Sequence, residues 1–576
     1  MNSTRPLLII RVLLLALAMA FLGVPGGPVN AQSVQHLTIT QPGGMPGWPV
    51  MTGVARPTNG LSVITWDGTP GSAGYYQLFQ KRSLNDASWQ AVGAATANNQ
   101  ATITAPSSRA FFRVSGPAPV YGGIGACAEC HGSTINTVNN TPHAHAFQPL
   151  QATNDAYLFS HTVGYKSPTG FSSAAATPQL EGVQCENCHG PAANHAAVYF
   201  DPTVLPRVDL AATVCGGCHT GSQHPTYDEW RASAHSQVVE DMNPTTRIDT
   251  CGRCHSGSAR LSLVKAEPLP TGDANMPVVC AVCHDPHAEH AHMNVLNGVY
   301  SFTNLLSGRS IEISNHQLGA VYTDQARNPL ASTNNYSVTD ATFASQYNPN
   351  INLCAQCHND RGASWTNWNY PPHQSLQYNM LLGTVGEVPG GAAPSLPGTH
   401  SQLEKQCVSC HMQAVSNTEP AFLKAGGHTF NMSWIVVTNV VKLVTNKYDK
   451  VDVCTPCHDG QGQGLVDFMQ SIVSDRVAQV KASLDLWATT TNVPSVLTNY
   501  GTRAWQYANP DLVGPLSSGG PGPATYTLQT NIPPNIWKAR FNLYLVDRDG
   551  SGGVHNPFFT LNLLSNAQMW VQEELH

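Results

Sequence analysis

Gly182-Val-Gln-Cys185-Glu-Asn-Cys188-His189-Gly-Pro-Ala-Ala-Asn-His195 contains the unit that decides the fold: two cysteines three residues apart, with a histidine directly behind the second. The unit recurs at Cys127/Cys130/His131, Cys215/Cys218/His219, Cys251/Cys254/His255, Cys280/Cys283/His284, Cys354/Cys357/His358, Cys407/Cys410/His411 and Cys454/Cys457/His458. All 16 cysteines lie in these units, so none remains for the disulfide scaffold common in exported chains. Zinc sites need no histidine after the second cysteine, and a dithiol oxidoreductase needs one reactive pair rather than eight. Two thiols on one short turn can instead add to the two vinyl groups of a haem. The next histidine is then held beneath the ring as proximal iron ligand. The expected cofactor is therefore haem c, eight copies per chain, with His131, His189, His219, His255, His284, His358, His411 and His458 on the irons.

The flanking sequence agrees with that chemistry, because c-type haem is attached outside the cytoplasm. Arg5 and Arg11, an apolar run from Val12 to Val24, a Pro/Gly break and Val29-Asn30-Ala31 read as a cleaved signal peptide over residues 1–31. The run is shorter than the roughly 20 residues a spanning helix needs, so no transmembrane span is expected in the mature chain. The expected location is exported: periplasmic, cell-surface or extracellular. The net charge of -7 and the lack of a basic block exclude nucleic acid as a partner.

Residues 32–116 hold no motif and read as β. Leu61–Trp66, Tyr75–Phe79, Trp89–Val92, Ala101–Thr104 and Ala110–Val114 are short β-branched and aromatic runs between turn residues. This segment resembles a fibronectin type III sandwich, with Trp66 as its inner aromatic. Residues 117–460 carry the motifs at about 40 residues each. That is too little chain for an ordinary core, so the porphyrins must supply much of the buried apolar surface. The fold expected there is mostly helical and irregular, rich in Gly and Pro loops. Residues 461–576 change character: Leu465, Phe468, Met469, Ile472, Val473, Val477 and Val480 recur at helical spacing, and a second helix is expected after Asn556-Pro557. Trp434–Val444 reads as a strand. Asp547-Arg-Asp549-Gly-Ser551-Gly552 opens like a calcium loop but has Phe558 at position twelve instead of Glu, and reads as a turn.

Of the 24 histidines, 16 remain beyond the motifs, enough to give each iron a second imidazole and a low potential. Several of them lie in recognisable segments: Thr141-Pro-His143-Ala-His145, the trailing His195 quoted above, Tyr227-Asp-Glu-Trp230-Arg-Ala-Ser-Ala-His235, Asp285-Pro286-His287, Pro372-His373, His400, Gly427-His428 and Gly553-Val-His555-Asn-Pro557. In this respect Cys127 to His576 resembles the multihaem cytochrome superfamily of the tetrahaem nitrification carriers, hydroxylamine oxidoreductase, octahaem tetrathionate reductase and the pentahaem and octahaem nitrite reductases. The resemblance implies His143 as a distal ligand, with His145 as its alternative, and also His195, His235, His287 and His428. His224, His373, His400 and His555 are further candidates. His290 and His292 read as exposed, and His36 and His576 as uninvolved.

Two functions follow, with redox partner proteins or an extracellular acceptor as partners. The first is an electron carrier with every iron six-coordinate. The second is an oxidoreductase acting on hydroxylamine, nitrite or tetrathionate at one five-coordinate haem, whose catalytic residues the sequence leaves unknown. Some enzymes of the resembled group replace the active proximal histidine by lysine, whereas all eight motifs here end in His. Hydroxylamine oxidoreductase, however, keeps His and modifies its ring through a tyrosine, and this chain has 18. A third reading, subunits stacked as a homo-oligomer or conducting filament, is compatible with the sequence and not demanded by it.

Overall fold

The computed structural model describes residues 50–55, 61–67, 76–81, 90–96, 100–104, 110–115, 120–148, 154–167, 169–197, 199, 206, 208, 210–237, 248–265, 276–284, 286–287, 299–303, 310–314, 322–324, 354, 357–392, 394, 396–403, 406–439 and 444–576. The signal segment 1–31 and His36, His290 and His292 lie outside them. The chain divides into two compact units, the smaller comprising residues 1–121, 166–169 and 190–207, and the larger the remainder.

In the smaller unit six strands form two sheets. Strands β1 (Val50–Ala55), β2 (Leu61–Asp67) and β5 (Gln100–Thr104) make one, in the order β1-β2-β5. Strands β3 (Tyr76–Lys81), β4 (Gln90–Thr96) and β6 (Phe111–Ser115) make the other, in the order β4-β3-β6. All pairings are antiparallel. Alternation at a period of two sends Ile64, Trp66 and Ile103 from one sheet, and Tyr76, Leu78 and Phe112 from the other, into a shared core. The five strands expected from sequence are present. β1 is additional, its apolar pattern interrupted by Gly53 and a register shift between Met51 and Gly53.

The larger unit is mostly helical and irregular. Its motif region uses short helices: α1 (Ala128–Val138), α2 (Asp155–His161), α3 (Thr226–Ala232), α4 (Ile248–His255) and α5 (Gly257–Lys265). A three-stranded antiparallel sheet follows from β7 (Val299–Thr303), β8 (Ser310–Ser314) and β9 (Tyr322–Asp324). The expected strand near Trp434 is one arm of a hairpin, β10 (Ser433–Asn439) with β11 (Val444–Asp449). Glu186, inside the second motif, is buried and accepts the backbone N–H groups of Gly122 and Gly123 at 3.1 and 2.8 Å, tying the first motif's approach to the second. Gly123 has φ +70°, and a Cβ there would stand 2.7 Å from the Gln179 carbonyl oxygen, so the position requires glycine.

The C-terminal part is a packed bundle of α6 (Gly462–Trp487), α7 (Pro534–Asp549) and α8 (Pro557–Leu575). Val473, Val480, Leu484 and Trp487 form the buried stripe of α6. Pro557 at the first turn and the Asn556 side chain, which accepts the Phe559 N–H at 3.2 Å, start α8 where the sequence predicted. Among the described residues no helix is long and apolar enough to cross a membrane.

Candidate functional site

Motifs such as Cys185–His189, Cys280–Cys283 and Cys407–His411 fold as short helices, and no disulfide joins the motif cysteines. Thiols of successive motifs instead meet across space. Cys127 hydrogen-bonds Cys185, Cys280 bonds Cys215, and Cys354 bonds Cys407. Cys188 acts electrostatically on Cys218, Cys354 on Cys283, and Cys454 on Cys410. These contacts link the motifs in the order first, second, third, fifth, sixth, seventh, eighth. The fourth, Cys251–His255, is placed through His373, which feels both its Cys254 and the Arg361 that follows the sixth motif.

Two second cysteines of the expected attachment set differ from the rest in their surroundings. Cys130 and Cys457 are exposed, whereas the other motif cysteines are at least half-buried. They belong to the first and eighth motifs, the two ends of the series. Cys254 and Cys357 are half-buried and work within their own surroundings. Cys254 opposes the loss of the proton from His373, and the Cys357 N–H donates to the Cys354 carbonyl at 3.1 Å, closing the sixth motif's turn.

The motif histidines face other histidines, most of them remote in sequence. Ring centroids lie 5.9 Å apart for His143 and His219, 6.0 Å for His189 and His287, and 6.1 Å for His235 and His358. The separation is 6.0 Å for both His255 with His373 and His284 with His428, 6.3 Å for His400 with His458, and 6.2 Å for His411 with His555. A metal bound to a nitrogen of each ring at about 2 Å would put the centroids about 6 Å apart, so these gaps fit an iron. Seven of the nine distal candidates are thereby paired one to one with motif histidines, and an eighth, His224, lies at a like distance from His219, 6.1 Å.

The hydrogen bonds of several rings leave the right nitrogen for that metal. Nδ1 of His411 bonds the Phe430 carbonyl at 2.7 Å, and Nδ1 of His400 the Val554 carbonyl at 2.8 Å. His358 Nδ1 meets Gln377 Oε1 at 3.2 Å, and His555 Nδ1 meets Asp549 Oδ1 at 2.7 Å. Each of these acceptors can only accept, so Nδ1 carries the proton and Nε2 presents its lone pair. His145 is used the other way round: its Nε2 is engaged by the Asn139 carbonyl at 2.8 Å, which favours His143.

Burial keeps many of these imidazoles in the neutral, metal-binding form. It pushes His235 down to about 4, helped by His358 and His428, and His373 down to about 4, helped by Arg361. His143, His219 and His411 are also lowered, chiefly by burial. His555 is the exception. Burial pulls it down, but the charge and hydrogen bond of Asp549 outweigh that and raise it.

Two candidates stand apart. His224 lies 6.1 Å from His219 and 6.2 Å from His161, whose own Nδ1 bonds the Tyr157 carbonyl at 3.0 Å. His161 is the histidine that sequence reasoning missed as a candidate. Its signal was its place at the C-terminal end of a short helix, where the ring reaches back to the carbonyl four residues earlier. His195 belongs to the smaller unit, with Nδ1 buried and no hydrogen-bond partner. Among the described residues of the larger unit, no second imidazole faces His131, which is exposed.

Apolar surface left open beside a motif also fits a porphyrin. Gln461, Gly464, Leu465 and Phe468 line a cavity directly after the eighth motif, and Phe468 is 64% exposed. A flat apolar ring would cover such a face.

Comparison with known proteins agrees with this chemistry. Residues 126–190 match the family model of cytochrome c554 and c-prime. The chain is 29% identical over 140 residues to the multihaem cytochrome MtrA of Shewanella baltica, covering 21% of this chain and 41% of that protein. It is 22% identical over 318 residues to the c-type polyhaem cytochrome OmcB of Geobacter sulfurreducens, covering 48% of this chain and 36% of that one. The chain thus spans less than half the length of the curated relatives it matches. A solved structure, the outer cell wall cytochrome OcwA, aligns with a TM-score of 0.47 at 17% identity, covering 78% of this chain and 100% of that one.

Proposed function

We propose that this chain, a multihaem c-type cytochrome with haem c as its cofactor, carries electrons outside the cytoplasm through eight covalently attached haems. The observation that carries this reading is the set of seven imidazole pairs at iron-bridging separation. In it, the sixteen motif cysteines hold the rings as thioethers, the exposed Cys130 and Cys457 and the half-buried Cys254 and Cys357 among them, and the eight motif histidines are proximal ligands. His287, His143, His373, His428, His235, His555 and His400 are the distal ligands of the second to eighth motifs in turn. When bound, the haems supply one-electron iron chemistry.

The protein's part is to space and insulate. The thiol contacts support a path running through the first, second, third, fifth, sixth, seventh and eighth motifs, with the fourth joining at the sixth. His373, paired with the fourth motif's His255, lies in the field of Arg361, three residues beyond the sixth proximal histidine. Residues 1–31 serve in this reading as the export signal. The β-sheets of residues 32–116 form a fibronectin type III-like module for docking or spacing. Redox partner proteins or an external acceptor receive the electrons at the periplasm or cell surface.

His131 favours a second reading, in which the first iron keeps an open position and reacts with a small nitrogen or sulfur compound. Low-temperature EPR of the oxidised, haem-loaded protein separates the two. The carrier reading predicts low-spin signals alone. A high-spin component that cyanide converts to low-spin would favour the oxidoreductase. Intact mass tests the count of eight haems.

A further inference from the structure

We infer that Asp549 is a positioning residue that lowers the redox potential of the haem held at Cys407–His411, acting through His555. The inference rests on the axial assignment proposed above for that pair. Asp549 Oδ1 accepts the His555 Nδ1–H at 2.7 Å, and the Asp549 side chain is 1% exposed, so water screens the contact little. The other carboxylate oxygen accepts the Ser551 hydroxyl. Ser551 Oγ in turn accepts the backbone N–H groups of Gly553 and His555, at 3.2 and 3.3 Å. The neighbouring cation does not neutralise Asp549, since Arg548 pairs with Asp511. The segment that opens like a calcium loop is therefore a clamp closed around one imidazole.

An anionic acceptor draws the Nδ1 proton towards itself and gives the ring imidazolate character, which makes it a stronger donor to ferric iron. Other candidate ligand rings donate to neutral acceptors: His411 to the Phe430 carbonyl, His400 to the Val554 carbonyl and His358 to the Gln377 amide. Glu229 shows how a nearby carboxylate can fail to act this way. It lies 3.7 Å from His428 Nδ1, beyond hydrogen-bond reach, and accepts the His428 backbone N–H at 2.9 Å instead. The room for that arrangement comes from Gly427, where a Cβ would meet Glu229 Oε2 at 2.3 Å.

The test is a potentiometric titration of the full haem-loaded chain, followed optically and by EPR, for wild type, Asp549→Asn, Asp549→Glu and His555→Ala. In Asp549→Asn, a component of one haem, roughly one eighth of the absorbance change, is expected to move to higher potential while the low-spin content stays the same. Asp549→Glu is expected to restore much of the wild-type curve. A curve for Asp549→Asn superimposable on wild type would overturn the inference. So would a high-spin haem in that variant, because Asp549 would then only hold the ring in place. His555→Ala examines the underlying assignment separately. It is expected to turn one haem high-spin, and a fully low-spin spectrum would remove His555 from the iron.

Discussion

The motif region and the C-terminal bundle of the larger unit are built on opposite principles. From Pro534 to Asp549 almost every side chain is buried, and with α6 and α8 it forms one continuous core that includes Trp487, Trp505, Phe541, Tyr544, Phe559 and Trp570. Among its described residues the motif region offers small clusters, such as Ala212, Leu261, Val279 and Val282, or Val415, Ala421 and Ala425. Each fully buried large apolar side chain contributes about 1.5–3 kcal/mol, so the bundle is stabilised by its own residues, while the motif region, in the reading proposed above, depends on the attached rings. Where the cofactor is the core, the sequence needs only anchors and ligands.

The sharpest way to break this contrast is to withhold haem. In chain produced without haem attachment, backbone amides of residues 122–458 outside the segment Leu376–Val385 are expected to exchange at near-unfolded rates, while α6, α7 and α8 stay protected. Equal protection in both parts would contradict the contrast. Next in size is Arg540→Ala. Arg540 is fully buried and donates to the Trp505 and Gln506 carbonyls and to Gln529 Oε1, at 2.9, 3.1 and 2.9 Å. Its loss leaves the Trp505 carbonyl and Gln529 Oε1 without that donor, while the Gln506 carbonyl keeps the Gln529 Nε2–H, and should destabilise the bundle by about 3–5 kcal/mol, read by denaturant-dependent amide exchange in α7, with haem absorbance little changed.

Gly386→Ala should cost less, about 1–3 kcal/mol. Gly386 has φ +121°, and a Cβ there would meet Leu563 Cδ2 at 2.6 Å, so both backbone strain and crowding oppose the methyl group. The smallest effect belongs to the motif region's surface. The hydrogen bond from Lys450, followed by that from the Ser416 N–H, holds the Glu419 carboxyl below the usual range. A depressed carboxylate adds stability that is fully present above its unfolded value and lost as pH falls through the folded one. Glu419 is exposed, so thermal melts should show only a slight loss of stability on acidification below about pH 4.5, and Glu419→Gln should flatten it.

The same contrast explains what could be read from sequence. The motifs, with the attachment and proximal roles expected of them, were legible because the pattern is local, five consecutive residues. What a motif cannot announce is its neighbourhood: Cys130 and Cys457 carry the same local pattern as the rest, yet these two are exposed. α6 and α8 were legible from period and caps. α7 was not, because a helix buried on all sides has no polar face to mark it. Asn542 and Arg540 look like surface letters, yet both are fully buried and bonded to backbone and side-chain acceptors inside. Asn542 accepts the Glu387 N–H at 2.8 Å and donates to the Glu387 carbonyl at 2.9 Å.

The distal candidates were legible as residue types in recognisable segments, but their partners were not. His235 meets His358 and His428 meets His284 across long stretches of chain, where spacing says nothing. The Asp549 segment reads as a turn in the sequence, and a turn does follow Asp549; what the sequence could not show is that Asp549 bonds a ring six residues on that faces the seventh motif's histidine.

The claim at the centre of this account, that facing imidazoles are axial pairs, is tested most directly by near-infrared magnetic circular dichroism of the oxidised, haem-loaded protein. The energy of its porphyrin-to-iron charge-transfer band reports the axial ligands of each low-spin haem. The account predicts bis-histidine intensity for at least seven haems per chain, falling by one haem in His373→Ala. A spectrum dominated by high-spin or histidine–methionine haem, or one unchanged in His373→Ala, would contradict it.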